Sequence, residues 1–139
     1  MRKSYLFLTA AVALVAGSLG WTLRGAAEAQ RVYELRTYTT LEGKLPDLQA
    51  RFRNHTLKLF TKHGITNIGY WVPADQALKN NTLIYMVAHK NLDEAKKSWD
   101  AFRKDPDWIA ARDKSEAPGK IVDKIVSVYL EPTDYSPLK

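Results

Sequence analysis

Cysteine is absent from this chain of 139 residues, which excludes disulfide bonds, thiolate metal sites and cysteine nucleophiles. The sequence also lacks a G-x-S-x-G motif, a glycine-rich phosphate loop and any pair of carboxylates placed together by spacing. Only three histidines occur, and none lies at a short spacing typical of zinc ligands. The sequence therefore predicts neither a metal site nor a bound cofactor.

Positive charge exceeds negative charge, but it is not concentrated in one place. The formal net charge is +6, and +4 of it remains once the first 29 residues are set aside. The basic residues occur as pairs and singles among acidic ones, without a stripe of interleaved aromatics. This pattern is typical of solvated helix surfaces and argues against nucleic-acid binding.

The first 29 residues have the layout of a secretory signal peptide. Basic residues at positions 2 and 3 precede an almost wholly apolar run, and small residues occupy the −3 and −1 positions of a cleavage after Ala29. The alternative is an uncleaved membrane anchor, because the apolar run extended to Leu23 is nearly long enough to span a bilayer. Either way we expect a domain outside the cytoplasmic membrane of a bacterium, periplasmic or secreted.

The rest of the chain predicts one small domain at residues 31–132, followed by a polar tail at 133–139. Hydrophobic patterns predict strands at about 32–39, 65–72, 82–89 and 120–130. One amphipathic helix follows the first strand and ends near His63, before Gly64. A second begins after Asn91 and restarts at Asp105-Pro106, where Asp105 can cap the new segment.

The order strand–helix–strand, repeated twice, predicts an α+β fold of the ferredoxin-like βαββαβ type. Its four-stranded antiparallel sheet would carry two helices on one face. The third and fourth strands are apolar on both sides, so the face without helices would expose apolar side chains. We therefore expect a homodimer that packs sheet against sheet as a dimeric α/β-barrel.

The first strand has one face that mixes charge with an aromatic ring. Glu34, Arg36 and Tyr38 point one way, while Tyr33 and its alternate neighbours point the other. A buried core does not normally hold a glutamate and an arginine. This face is therefore either solvated or meets a partner that pairs these charges, and we assign Glu34, Arg36 and Tyr38 to the face that a second subunit covers.

Several short segments together resemble one family. They are YELRTYT in the first strand, LFTKHG at the end of the first helix, IGYW in the second strand, and DPDW three residues after Phe102. In this order they resemble the NIPSNAP domain family. The resemblance implies a dimeric α/β-barrel, and it implies little about activity, because most members have no defined biochemistry. The mitochondrial roles of animal members are not carried over, since this chain has a secretory-type leader.

His55 is the one polar member of an otherwise apolar helix face, which it shares by spacing with Leu45, Leu48, Phe52 and Leu59. It is either a hydrogen-bonded core or rim histidine, or an acid/base or ligand-binding group in a pocket between helix and sheet. Four further side chains could converge there, with ordinary aromatic packing as the alternative for the tyrosines: Tyr33, Tyr70, Tyr85 and His89.

Two functions follow from these features. The first is an exported, homodimeric binding or interaction protein without catalysis, whose partners are a second copy of itself and either a small molecule or another protein. The second is a small cofactor-independent enzyme, monooxygenase- or isomerase-like, that acts on an aromatic or carbonyl compound with His55 as acid/base. We favour the first. A membrane contact is expected only if the leader is retained.

Overall fold

The computed structural model describes residues 31–139. The predicted signal peptide, at residues 1–29, lies outside this described part. Within it, no helix is both long enough and apolar enough to cross a membrane.

Strands and helices follow one another in the predicted order. They are β1 (Val32–Thr40), α1 (Leu45–Arg51), a π-helical turn (Phe52–Thr56), α2 (Leu57–Lys62), β2 (Thr66–Trp71), β3 (Thr82–His89), α3 (Leu92–Lys104), α4 (Pro106–Glu116) and β4 (Val122–Leu130). The segments α1, the π-helical turn and α2 are continuous, and together they form what we call the long helix. The fourth strand begins two residues later than the sequence pattern predicts.

The strands form one antiparallel sheet in the order β2-β3-β1-β4. This order places the first and third strands in the centre, as a ferredoxin-like fold requires, so the predicted α+β fold class is confirmed. The pairing of β2 with β3 shifts register between Asn67 and Gly69, which marks a β-bulge. Such a bulge bends the strand and redirects the side chains that follow it.

The caps predicted for the later helices are present. The Asn91 side chain accepts a hydrogen bond from the backbone N–H of Glu94 at 2.8 Å and begins α3. Asp105 does the same for α4, accepting from the backbone N–H of Asp107 at 2.8 Å, with Pro106 in the first turn. Both side chains satisfy N–H groups that a helix leaves unpaired at its start.

The long helix changes its inward face at the π-helical turn. Leu48 and Phe52 are buried at α-helical spacing, but the wider turn then brings Thr56 inward and leaves His55 partly exposed. The Thr56 hydroxyl donates to the carbonyl of Arg51 at 3.3 Å, which gives a further partner to the carbonyl directly before the irregular turn. The prediction that His55 shares the face of Phe52 is therefore wrong, because that prediction assumed a regular helix.

The helices and the sheet enclose one aromatic core. Tyr85 and Val87 of β3 are fully buried against the long helix and α3, alongside Phe60, Trp99 and Phe102. Phe60 makes edge contacts with both Trp99 and Phe102, at centroid distances of 5.2 and 5.0 Å. These contacts hold the long helix and α3 together on the same face of the sheet.

The helices leave the other face of the sheet without cover. Residues that pair directly across strands share a face, and the register places six at the centre of this one: Leu35, Thr37, Ile84, Met86, Val126 and Val128. We call them the uncovered face. Val126 and Val128 keep 44% and 49% of their surface exposed to solvent. The expectation that β3 is apolar on both sides is thus met. No helix of residues 31–139 covers this side of β3, and the C-terminal tail borders it only at one end, near Tyr33 and Met86.

Candidate functional site

Glu34 lies on the helix-covered face of the sheet, not on the face that we expected a second subunit to cover. Its side chain is 1% exposed. One carboxylate oxygen accepts from Arg36 Nη1 and from the Ser127 hydroxyl, each at 2.5 Å. The other accepts from Trp99 Nε1 at 2.6 Å and lies 3.0 Å from His89 Nε2. Four donors from four elements therefore converge on one buried carboxylate.

The pKa of Glu34 follows from these contacts. Burial alone would raise the pKa, but hydrogen bonds from His89 and Ser127, the charge of Arg36 and the hydrogen bond from Trp99 outweigh it and lower the pKa to about 2. The carboxylate is ionised at neutral pH and its oxygens are already occupied by donors. It is therefore a poor general base, and its role in this arrangement is to anchor the surrounding groups.

The Arg36 side chain is enclosed beside Glu34. Its guanidinium lies 4.4 Å from the centre of the Trp99 ring, and Nη2 donates to the Tyr38 hydroxyl at 3.3 Å. Burial would lower the pKa of Arg36, but Tyr38, Tyr85 and Glu34 outweigh this and raise it above its ordinary value. The placement of Glu34, Arg36 and Tyr38 on the bare face was wrong, because the helix face accommodates a glutamate and an arginine once they pair with each other.

A line of tyrosines continues from Arg36 across the covered face. The Tyr85 hydroxyl donates to the Tyr38 hydroxyl at 3.1 Å, and the Tyr85 ring stacks on Tyr70 at 5.3 Å. Burial, the first cause for each, raises the pKa of Tyr70 and of Tyr85, so both hydroxyls stay protonated at neutral pH. Tyr70 and Tyr85 are thus in contact with each other, within an aromatic core.

Asn67 ties the end of this line to the long helix. It accepts from the Tyr70 hydroxyl at 2.5 Å, while its amide nitrogen donates to the Leu57 carbonyl and the Thr61 hydroxyl, both at 3.1 Å. The sequence reasoning did not identify Asn67, because a single asparagine within a strand gives no pattern signal. Its side chain fixes β2 against α2.

The remaining predicted site residues lie in other places. Tyr33 is on the uncovered side, where its hydroxyl donates to the carbonyl of Lys139 in the C-terminal tail at 2.7 Å. His89 is 2% exposed and belongs to the Glu34 network. His55 borders a shallow groove between the long helix and α4, near Lys58 and Lys114. The five residues therefore do not form one pocket, and His55 is outside the space between helix and sheet.

His63 and Lys62 join the end of the long helix to the start of α4. His63 Nε2 and Lys62 Nζ lie 2.5 and 2.7 Å from the same oxygen of Asp105, the residue that caps α4. The hydrogen bonds from Lys62 and then His63 lower the pKa of Asp105 below its ordinary value. His63 thus lies at the end of the long helix, as expected. Across residues 31–139, no cluster of three acidic or histidine side chains is arranged to hold a metal ion.

A cavity does open between the long helix and the sheet, at the end opposite Glu34. It has a volume of 360 Å³. Apolar and aromatic residues make up most of its lining, together with two polar residues of the long helix: Phe52, Leu57, Tyr70, Trp71, Val72 and Leu83, with Gln49 and Arg53. Of the residues predicted for a ligand site, only Tyr70 lines it. This cavity is the candidate ligand site.

The chain matches one family model, and its fold is similar to proteins of known structure. The NIPSNAP family model matches residues 33–137. A NIPSNAP family protein from Agrobacterium tumefaciens, of unknown function, superimposes with a TM-score of 0.67 at 19% identity, covering 80% of this chain and 96% of its own. A second from that organism gives 0.68 at 23%, covering 78% and 99%.

A more distant structure has a described activity. SnoaB, a cofactor-independent oxygenase from Streptomyces nogalater, superimposes with a TM-score of 0.53 at 11% identity, covering 78% of this chain and 99% of its own. At this identity the similarity shows a shared fold and nothing of the reaction. No curated protein sequence matches the chain.

Proposed function

The chain belongs to the NIPSNAP family, whose model covers most of it, and we propose that it is an exported homodimeric binding protein without catalysis. The proposal has two parts. The uncovered face joins two copies of the chain, and the cavity between the long helix and the sheet receives a small ligand.

The uncovered face is the observation that carries the proposal. Its central positions are aliphatic, and none of its six residues bears a charge. Val126 and Val128 remain about half exposed, which is costly for a cluster of apolar side chains in water. A second copy fits because a two-fold axis would pair this face with itself, without placing like charges opposite each other.

Two findings support binding rather than catalysis. His55, the only acid/base group that the sequence suggested, lies on the α4 side of the long helix and not in the helix–sheet cavity. The Glu34 carboxylate already accepts four hydrogen bonds and is ionised, with a pKa of about 2, so it is a poor proton acceptor. The oxygenase activity described for SnoaB is not proposed for this chain, because no residue of the cavity is a carboxylate or a histidine.

Light scattering after size-exclusion chromatography tests the dimer at micromolar concentration. We expect the chain without its leader to have the mass of two copies, and Val126→Asp to have the mass of one. Ile125→Asp is a matched control, because Ile125 is equally exposed on the same strand but faces the helix side, opposite Tyr38. A monomeric parent, or a loss of dimer in both variants, would contradict the use of this face.

Export is tested separately, by fractionating bacteria that express the full chain. We expect the protein outside the cytoplasmic membrane with Gln30 as its first residue. A product that still begins at Met1 in the membrane fraction would support the retained anchor, and a cytoplasmic product would contradict export.

A further inference from the structure

We infer that the cavity between the long helix and the sheet binds a small amphipathic carboxylate, with its apolar body against Phe52 and Tyr70 and its charged end at Arg53. The inference rests on the proposed binding function, and it names the class of ligand. It does not depend on the dimer.

The size and lining of the cavity favour a small apolar molecule. Its 360 Å³ falls at the lower end of the range of roughly 300–1,000 Å³ typical of small-molecule sites. Such sites combine an apolar wall with a few polar groups that orient the ligand. In this cavity the polar groups are the amide of Gln49 and the charged guanidinium of Arg53, which lie one turn apart on the same helix.

Both walls of the cavity are built from irregular backbone. Phe52 and Arg53 are the first two residues of the π-helical turn, and Leu57 follows it directly. On the opposite wall, Tyr70 and Trp71 come directly after the β-bulge of β2. Short π-helical turns and β-bulges both occur preferentially next to functional sites, where they redirect side chains. Two such irregularities on facing walls of one cavity are an independent indication of a binding site.

The side chains of the sheet wall are held in place without a ligand. Asn67 bonds the Tyr70 hydroxyl and at the same time two groups of α2. The cavity is therefore preformed, which reduces the entropy that a ligand loses on binding.

The charge of the cavity selects an anion. Arg53 is exposed and forms no ion pair with any acidic side chain of residues 31–139. Arg36 and Arg51, by contrast, each pair with a glutamate. Tyr70 stays protonated, so it adds no negative charge to the wall. A carboxylate suits the guanidinium because the two form a pair of parallel hydrogen bonds.

Isothermal titration calorimetry on the chain without its leader tests the inference with two matched probes, 4-phenylbutanoate and 4-phenylbutan-1-ol. They share the apolar body and differ in the charged end. We expect the carboxylate to bind at least about tenfold more tightly, which corresponds to one charge-assisted hydrogen bond to Arg53.

Three variants locate the site. Arg53→Gln should remove the preference for the carboxylate and leave the alcohol unchanged. Lys58→Gln is the matched control, because Lys58 is an exposed cation of the same helix that borders the groove near His55 instead, and it should have no effect. Asn67→Ala should weaken both probes several-fold, since it releases the Tyr70 side chain that Asn67 holds against the long helix.

Each other outcome overturns the inference. Equal affinity for the two probes would refute the carboxylate class but leave the binding function standing. Binding that is insensitive to Arg53→Gln and to Asn67→Ala would place the ligand elsewhere. Absence of binding by both probes would refute the site, and the light-scattering result on the dimer would stand or fall separately.

Discussion

The two faces of the sheet reverse the usual distribution of charge. The covered face, beneath the helices, contains the ion pair of Glu34 and Arg36, both largely enclosed. The uncovered face presents aliphatic side chains to solvent, with Val126 and Val128 about half exposed. The difference shows that residue type alone does not identify the inner face of a strand.

The reversal has a physical cause on each side. A buried carboxylate is tolerated when donors satisfy both of its oxygens, and Glu34 has four of them. An exposed aliphatic face has no such compensation within one copy of the chain, so it requires a second layer. The covered face is thus satisfied within a single chain, whereas the dimer that we propose would supply the cover of the uncovered face.

The largest effect is expected from Glu34→Ala on the covered face. The change leaves Arg36 charged and enclosed without its acidic partner, which costs about 3–5 kcal/mol of unfolding free energy. Urea denaturation measures it. The control is Asp100→Asn, which breaks the exposed pair of Asp100 with Arg103 and should cost less than about 1 kcal/mol. If both variants lost a similar amount of unfolding free energy, the buried pair would contribute no more to stability than the exposed one.

A fall in pH should reduce the contribution that Glu34, on the covered face, makes to the free energy of unfolding. The uncovered face, whose six residues do not titrate, should be unaffected. The pKa of Glu34 is lowered from 4.5 to about 2 in the folded chain, so the unfolded chain takes up the proton first as the pH falls. The stabilisation, about 3 kcal/mol, is complete above pH 5 and is lost as the pH falls from about 4.5 towards 2.

Urea midpoints at pH 6, 4 and 3 for the parent and Glu34→Gln measure this loss. The difference between the two proteins should shrink in acid. Asp105, whose pKa is also lowered by Lys62 and His63, is present in both and cancels. A difference that is independent of pH would mean that Glu34 does not titrate as described.

A smaller effect is expected at the end of the uncovered side, where the tail packs on Tyr33. Tyr33→Phe removes the hydrogen bond to the Lys139 carbonyl and should cost about 1 kcal/mol or less, while making the tail more sensitive to carboxypeptidase. Tyr135→Phe, in the same tail but 84% exposed, should change neither property. Equal digestion of both variants would argue that the tail is not held by Tyr33.

The smallest effect is expected from His55, which lies on neither face of the sheet. Among residues 31–139 it has no hydrogen-bond or ionic partner, so His55→Ala should change the unfolding free energy by less than about 0.5 kcal/mol. His89→Ala, which removes a buried donor to Glu34, should cost clearly more. A large effect at His55, on stability or on probe binding, would restore it as a candidate site residue.

Much of the fold could be predicted because it depends on local signals. Alternating apolar residues predicted the strands, Asn91 and Asp105 predicted the helix starts, and the two-sided β3 predicted a face without helices. The site was less predictable. A period of three or four placed His55 beside Phe52, and only the observed π-helical turn showed that Thr56 takes that position. Asn67 gave no signal, because its bonds join segments that pattern analysis treats separately.

The sequence by itself determined the order of elements, the ferredoxin-like topology and the family, because hydrophobic periodicity, caps and glycine turns act over a few residues. Only the tertiary structure decided which face of β1 is covered, since alternation states that Glu34 and Tyr33 point apart but not which of them meets a helix. It also decided that four donors reach Glu34 and that the π-helical turn and the β-bulge face one cavity. These are contacts between distant segments, and packing alone sets them.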